Sequence, residues 1–306
     1  YNMKKDAAAI FSLVILLAFM GYMIYDAFRA GPAVSNTTSK PGRDYVADWE
    51  VERTFSVTSG SLSSVAAGQD GNVFLGGGLH VSAMTKDLKE LWTVETEESI
   101  TALAVSGDTV FAASSELIYL ISPSGKLIGE WGPYEADCLI TSVSASPRHV
   151  VFADAGNKRI FVLNKGGEVV TMMGQGDERF VIPSPYFDVA VSGNLVFATN
   201  TGYRRIETWS IDGRKLSEFG EAGTASGAFC GCCNPVHFAI VPQGFITAEK
   251  GINRIKILDK EGKFIAFVSV NNDFNQSVPL DVASADGETI YGANSFDNKL
   301  YVFKRK

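Results

Sequence analysis

The chain has 306 residues, a formal net charge of −7 and a hydrophobic fraction of 46%. That fraction supplies a large core and excludes global disorder. The acidic balance, with no basic stripe interleaved with aromatics, excludes a nucleic-acid partner. Thirty glycines and twenty phenylalanines suit an all-β chain with many turns.

Residues Ala7 to Tyr25 read AAAIFSLVILLAFMGYMIY, without a charge. The run approaches the ~20 residues that span a hydrocarbon core as a helix. Lys4 and Lys5 precede it, and Asp26 and Arg29 behind it cancel. The positive-inside rule then keeps the N-terminus in the cytoplasm. A cleaved signal peptide has a shorter apolar region of ~7–15 residues. No cysteine follows the run, which excludes a lipoprotein signal. A buried core helix lacks a second helical pattern to pack against. The sequence therefore predicts a signal-anchor transmembrane helix within residues 1–30. Residues Gly31 to Arg43, GPAVSNTTSKPGR, predict a linker. Asn36-Thr37-Thr38 within it fits a glycosylation pattern that short sequences match often by chance.

Beyond the linker the chain repeats. Inner segments SSVAA, TALAV, TSVSA, FDVAV, VHFAI and LDVAS begin at Ser63, Thr101, Thr141, Phe187, Val236 and Leu280. Each leads through a Gly or Pro turn into a β-rich run such as HVVFADAG, LVFATN or GFITAEKG. Third runs of alternating pattern follow, among them RIFVLN at Arg159, RIETWS at Arg205 and RIKILD at Arg254. Turns such as KGGEV and KEGKF introduce a short fourth strand. Period-two alternation bounded by Gly, Asp and Asn marks strands and hairpins. Four strands per unit at a period of about 40 residues is the signature of a β-propeller. Six units predict six blades over residues 44–306. A seventh would require Asp44 to Val57 to hide a degenerate copy. The last unit ends after its third strand at Lys306, while YVADWEVERTFSV at Tyr45 to Val57 is an orphan strand. Placing that strand in the last blade closes the ring and removes two open edges.

Two motifs carry a family resemblance. Gly174-Gln-Gly-Asp-Glu-Arg-Phe180-Val-Ile-Pro183 matches a linker of the form G-x-G-x-x-x-F-x-x-P. Asp154-Ala-Gly-Asn157-Lys-Arg159-Ile160 matches D-x-x-N-x-R-I. Both resemble the NHL-repeat propellers, closely in blades three to five and weakly in blades one and two. The resemblance implies a six-bladed propeller and no particular activity, since such propellers mostly bind partners.

One linker departs from the repeat. Phe180 and Pro183 are separated by two residues, whereas Phe229 and Pro235 enclose five, Cys230-Gly-Cys232-Cys233-Asn234. The run GCCNP, followed by AEKG and R-x-K, is similar to a membrane-anchored bacterial subgroup of that family. His237 aligns with Asp188 and Asp281 at the start of the inner strand. Glu249 aligns with Asp154, Asn200 and Asn294 after the second strand. The loop leads into an inner strand and so belongs on one channel rim, and the resemblance to NHL propellers implies that His237, Glu249, Lys250 and Arg254 share that face. Four readings follow. Disulfides suit a domain outside the cytoplasm. Cys138 would pair with one of the three, leaving a second bridge such as Cys230 with Cys233, while a vicinal Cys232–Cys233 bridge would be strained. A zinc or iron–sulfur site would take the three thiolates with His237 or Cys138, although C-x-C-C matches no common ligand spacing. A redox thiol pair would use the C-x-x-C spacing of Cys230 and Cys233. Unpaired buried cysteine is the fourth.

The three histidines, His80, His149 and His237, stand at non-equivalent blade positions, which argues against a metal-dependent lyase in the channel. No hydrolase elbow or triad is present. A ring of Asp154, Asn200, Glu249 and Asn294 could hold calcium, but such residues more often cap turns. Repetition of Arg159, Arg205, Arg254 and Lys299 fits bracing rather than a unique site. The first functional expectation is a non-enzymatic binding or scaffold subunit of a membrane complex. It would sit in a bacterial inner membrane through residues 7–25, propeller in the periplasm, with other subunits as partners. The second is a redox or metal-carrying subunit using the cysteine loop. The third is a propeller enzyme with a site at the channel mouth.

Overall fold

A computed structural model describes residues 45–306 except 59, 271, 272 and 276. In the N-terminal unit, residues 1–44, it describes only Leu13, residues 16–18 and Met20, all helical. The segment expected to span a membrane and the linker behind it therefore lie almost wholly outside the described residues. Among the described residues no helix is long and apolar enough to cross a membrane.

The second unit, residues 45–306, is an all-β, six-bladed propeller. The first strand, β1 (Trp49–Ser56), stands apart from its chain neighbours. The first blade is β2 (Ser64–Ala67), β3 (Val73–Gly77), β4 (His80–Met84) and β5 (Glu90–Glu95). The second is β6 (Ala102–Ser106), β7 (Thr109–Ala113), β8 (Ile118–Ile121) and β9 (Leu127–Trp131). The third is β10 (Ile140–Ala145), β11 (Val150–Asp154), β12 (Arg159–Leu163) and β13 (Val169–Met173). The fourth is β14 (Val189–Ser192), β15 (Leu195–Asn200), β16 (Arg205–Ser210) and β17 (Lys215–Phe219). The fifth is β18 (His237–Val241), β19 (Gly244–Ala248), β20 (Ile255–Asp259) and β21 (Phe264–Ser269). The sixth holds β22 (Asp281–Ala283), β23 (Ile290–Asn294) and β24 (Lys299–Arg305). Five sheets are simple meanders, and β1 supplies the outer strand of the sixth. It pairs antiparallel with β24 from Trp49 opposite Arg305 to Ser56 opposite Lys299, with a bulge between Val51 and Arg53.

The alternation of the strands explains the stacking. The middle strands are buried on both faces, so each sheet presents apolar side chains to both neighbours. Each of the six blade junctions holds its own apolar cluster. Between blades three and four, for example, Val151, Ile160 and Val162 meet Val189, Val196 and Trp209. The junction of blades four and five is the poorest in buried apolar groups, with Ala190, Ile206, Phe238 and Phe245. Trp49 reaches from β1 into the junction of blades five and six, where its indole donates to the Glu288 carbonyl.

The D-x-x-N-x-R-I motif is a turn. The Asp154 carboxylate accepts from the N–H groups of Gly156 and Asn157, and Lys158 then takes a left-handed φ of 57°. Arg204, Asn253 and Asn298 take left-handed φ at the same position of blades four to six. Each left-handed residue turns the chain directly into or just before the third strand.

Trp49 is 4% exposed, so its truncation tests the closure. Trp49→Ala should cost about 3–5 kcal/mol in denaturant unfolding. Glu50→Ala, on the exposed side of the same strand, should stay within about 0.5 kcal/mol.

Candidate functional site

The inner strands of all six blades line a channel of about 340 Å³. At its mouth six equivalent positions form a ring: Ser64, Ala102, Ser142, Asp188, His237 and Asp281. Side chains of this ring stitch neighbouring blades together. The Ser64 hydroxyl accepts from Leu103 N–H at 3.0 Å, and the Ser142 hydroxyl accepts from Val189 N–H at 3.2 Å. The Asp188 carboxylate accepts from Phe238 N–H at 2.7 Å, and Asp281 accepts from Val65 N–H at 2.8 Å. Ser64 donates to Asp281 at 2.9 Å, and Ser142 donates to Asp188.

His237 is the ring member that carries an imidazole. Its Nδ1 stands 3.8 Å from Asp188 and 3.6 Å from Asp281, and its side chain is 21% exposed. Burial favours the neutral ring, but the nearby carboxylates of Asp188 and Asp281 outweigh it and raise the His237 pKa. Burial raises the Asp281 pKa, with His237 opposing and Asp188 adding to the rise. Tyr186 stands edge-on to the imidazole at 6.3 Å, and the Lys250 ammonium lies over the Tyr186 ring at 4.2 Å.

The expected polar mouth is placed differently. None of Asp154, Asn200, Glu249, Lys250, Arg254 or Asn294 lines the channel. Most sit where the second strand ends and use their acceptors locally. Asp154 takes Leu139 N–H at 2.9 Å, Asn200 takes Val181 N–H at 3.0 Å, and Glu249 takes Cys230 N–H at 3.0 Å. Each thus fastens the linker that leads into its own blade. Asn294 accepts from Phe296 N–H at 3.1 Å within its turn. Each of these residues thus gives an oxygen to a turn or linker N–H, and Glu249 gives its other oxygen to Arg254 and Lys256. Arg159 pairs with Glu135 at 2.6 Å, and Arg205 with Glu207 and Glu218. These are braces within one blade and its linker.

Glu249 is also the centre of a buried ion cluster. Arg254 reaches it at 2.6 Å and Lys256 at 3.1 Å. Arg254 also donates to the Ala228 carbonyl, and Lys256 to the same oxygen at 2.6 Å. The Lys256 ammonium lies over the buried Phe229 ring at 4.3 Å. Burial pushes the Lys256 pKa down to about 8, with Glu249 opposing the drop. This cluster grips residues 227–230 just ahead of the cysteines.

Asn234 grips the other end. Its amide donates to the carbonyls of Cys230 and Lys250 and accepts from Lys250 N–H at 3.0 Å. Arg204, from the neighbouring blade, donates to the Gly231 carbonyl at 2.9 Å. Cys232 is exposed, Cys233 is buried, and their sulfurs stand 3.0 Å apart. The hydrogen bond from Cys233 lowers the Cys232 pKa, and Lys250 and Arg204 add to the drop. Burial raises that of Cys233. Ser184 opposes that rise, and its hydroxyl oxygen is buried without a hydrogen-bond partner among the described residues.

The four cysteines stand in different surroundings, and none is bonded to another in this structure. Cys138 sits in the apolar junction of blades two and three with Ile118, Ile140 and Phe152, so it neither pairs with the loop nor ligates with it. Burial, then the nearby Asp154, pushes its thiol up to about 12. The close sulfurs are Cys232 and Cys233, not Cys230 and Cys233. Among the described residues no three His, Cys, Asp or Glu side chains are grouped to hold a metal. His237 stands beside Asp188 and Asp281, and the Cys230 backbone N–H is tied to Glu249. Sequence reasoning missed Ser184, Tyr186 and Arg204 as neighbours of the loop, and Lys256 as its anchor. A lysine between two strand isoleucines, in the run RIKILD, was the available signal for the last. No model of a known protein family matches the chain, and no curated protein matches it.

Two outcomes follow. Glu249→Gln leaves two buried cations uncompensated and should destabilise the propeller by about 3–5 kcal/mol in chemical unfolding. The raised His237 pKa means that protonation favours the folded state. Its contribution is complete below the unfolded value of ~6.5 and is lost as pH rises through the folded value. Urea midpoints should therefore fall over that window in the parent chain and run flatter in His237→Gln.

Proposed function

We propose that the chain is a membrane-tethered binding propeller of the NHL type, which docks a subunit of the same membrane complex through the rim that carries the cysteine loop. One observation carries this reading. The insertion between Phe229 and Pro235 is the main departure from the repeat, and Glu249 and Asn234 hold it by both ends. Holding a loop in one shape lowers the entropy lost on association. Around it stand Arg204 and Lys250, with Tyr203 53% exposed and capped by the Arg205 guanidinium at 4.5 Å. Tyrosine and arginine are the residue types that contribute most at protein interfaces. The apolar run at residues 7–25 supports the tether, and the lysines before it support a propeller on the periplasmic side.

Site-specific photocrosslinking of the full chain in native membranes tests the docking. A photoreactive residue at Tyr203 should give one dominant crosslinked species. The same group at Asp108, in the hairpin at the other end of the strands, should not. Equal yields from both positions would contradict the docking face. An alkaline carbonate wash should leave the full chain in the membrane pellet, and its release would contradict the tether.

A further inference from the structure

We infer that Cys232 and Cys233 are a vicinal exchange pair that passes from a dithiol to a ring disulfide by reaction with a disulfide-bearing substrate and returns by the reverse exchange with a substrate dithiol. The inference is independent of the tether and of the docking partner. Its geometric basis is the 3.0 Å between the sulfurs, about 1 Å from a bonded separation of ~2.05 Å. The two thiols occupy different surroundings. Cys232 faces solvent beside two cations, and Cys233 is buried under it. An exposed thiol in an electropositive setting is the reactive kind, and a buried one is held back until a partner brings it into play.

The chemistry balances within the loop and one substrate. The Cys232 thiolate attacks one sulfur of the substrate disulfide. The substrate S–S bond breaks, and the leaving thiolate takes a proton from solvent. The product is a mixed disulfide on Cys232. Cys233 then gives up its proton and attacks the Cys232 sulfur. The mixed bond breaks, the second substrate thiolate takes that proton, and a Cys232–Cys233 bond is left. The substrate has gained two electrons and the dithiol has lost them.

The backbone around the pair suits the cycle. Gly231 holds a left-handed φ of 78°, and the loop ends are fixed at Cys230 and Asn234. Closing the sulfurs therefore moves Cys232 and Cys233 while the anchors stay. A ring formed by adjacent cysteines is strained, and strained or exposed disulfides are the labile ones. The pair is thus built to pass a disulfide on rather than to keep one as a structural bond.

The test uses the full chain in detergent with Cys138→Ala and Cys230→Ser, and a small aryl disulfide, 5,5′-dithiobis(2-nitrobenzoate), as the probe. The pair should release about two nitrothiolate equivalents per chain and leave no adduct on the protein, as thiol–disulfide exchange requires. The intact mass should fall by two hydrogens, and peptide mapping should place the bond at residues 232–233. Adding Cys233→Ser should stop the reaction at one equivalent with one retained adduct. Adding Cys232→Ser should slow release by about tenfold or more, because the remaining thiol is buried. Peptide mapping of the parent chain, with all four cysteines, is the second measurement should the background fail to fold, and it should find the same 232–233 bond. Retention of two adducts, or a rate that Cys232→Ser leaves unchanged, would overturn the inference. So would a parent chain whose oxidised form links Cys230 instead.

Discussion

Closure of the ring by β1 and β24 is the constraint on which the propeller depends. A blade sheet buries both faces only if it has a neighbour on each side. Chain order sets five of the six junctions between consecutive blades. The sixth brings the last blade back against the first, and the last sheet, at residues 281–305, is completed by a strand from residues 49–56. The closing ladder covers the edge of β24, and Trp49 ties it to the junction of blades five and six. Loss of this pairing would expose a sheet edge and free the junctions on either side. The inner ring of Ser64, Ser142, Asp188 and Asp281 reinforces the same closure at the axis, since each side chain takes a backbone N–H of the next blade.

Against that frame the junction of blades four and five is the odd one. Its apolar cluster is small, and the space beside it holds Glu249, Arg254 and Lys256. Buried ion groups of this kind contribute little net stability compared with apolar packing. Their hydrogen bonds here run to Cys230 N–H and to the Ala228 carbonyl, the backbone that leads into the cysteine loop. The cluster gives up packing and fixes a loop. A pinned loop with one exposed and one buried thiol is an arrangement that a purely structural linker does not require, as the linker at Phe180 to Pro183 demonstrates with three fewer residues.

Much of this was legible in the sequence. Period-two alternation at fixed spacing gives the blades because both faces of every inner and middle strand must be apolar or small. The alignment of His237 with Asp188 and Asp281 likewise follows from the repeat, and the structure brings the three together. What the sequence does not carry is where side chains spend their hydrogen bonds. Asp154, Asn200 and Glu249 occupy equivalent positions near the rim, yet each gives an oxygen to a backbone N–H of its own linker, and Glu249 gives the other to Arg254 and Lys256. Cys138 shares a linker position with the loop cysteines, but one residue's burial in the junction of blades two and three separates it from them. The approach of Cys232 to Cys233 depends on the backbone path between Cys230 and Asn234, which no spacing rule encodes.

The central claim is that the loop holds two thiols in unlike states. Timed alkylation of the native full chain with iodoacetamide near neutral pH, read by peptide mapping, measures this most directly. Cys232 should be labelled first, Cys233 should lag behind it, and Cys138 should be modified only after unfolding. Equal labelling of Cys232 and Cys233, or early labelling of Cys138, would contradict it.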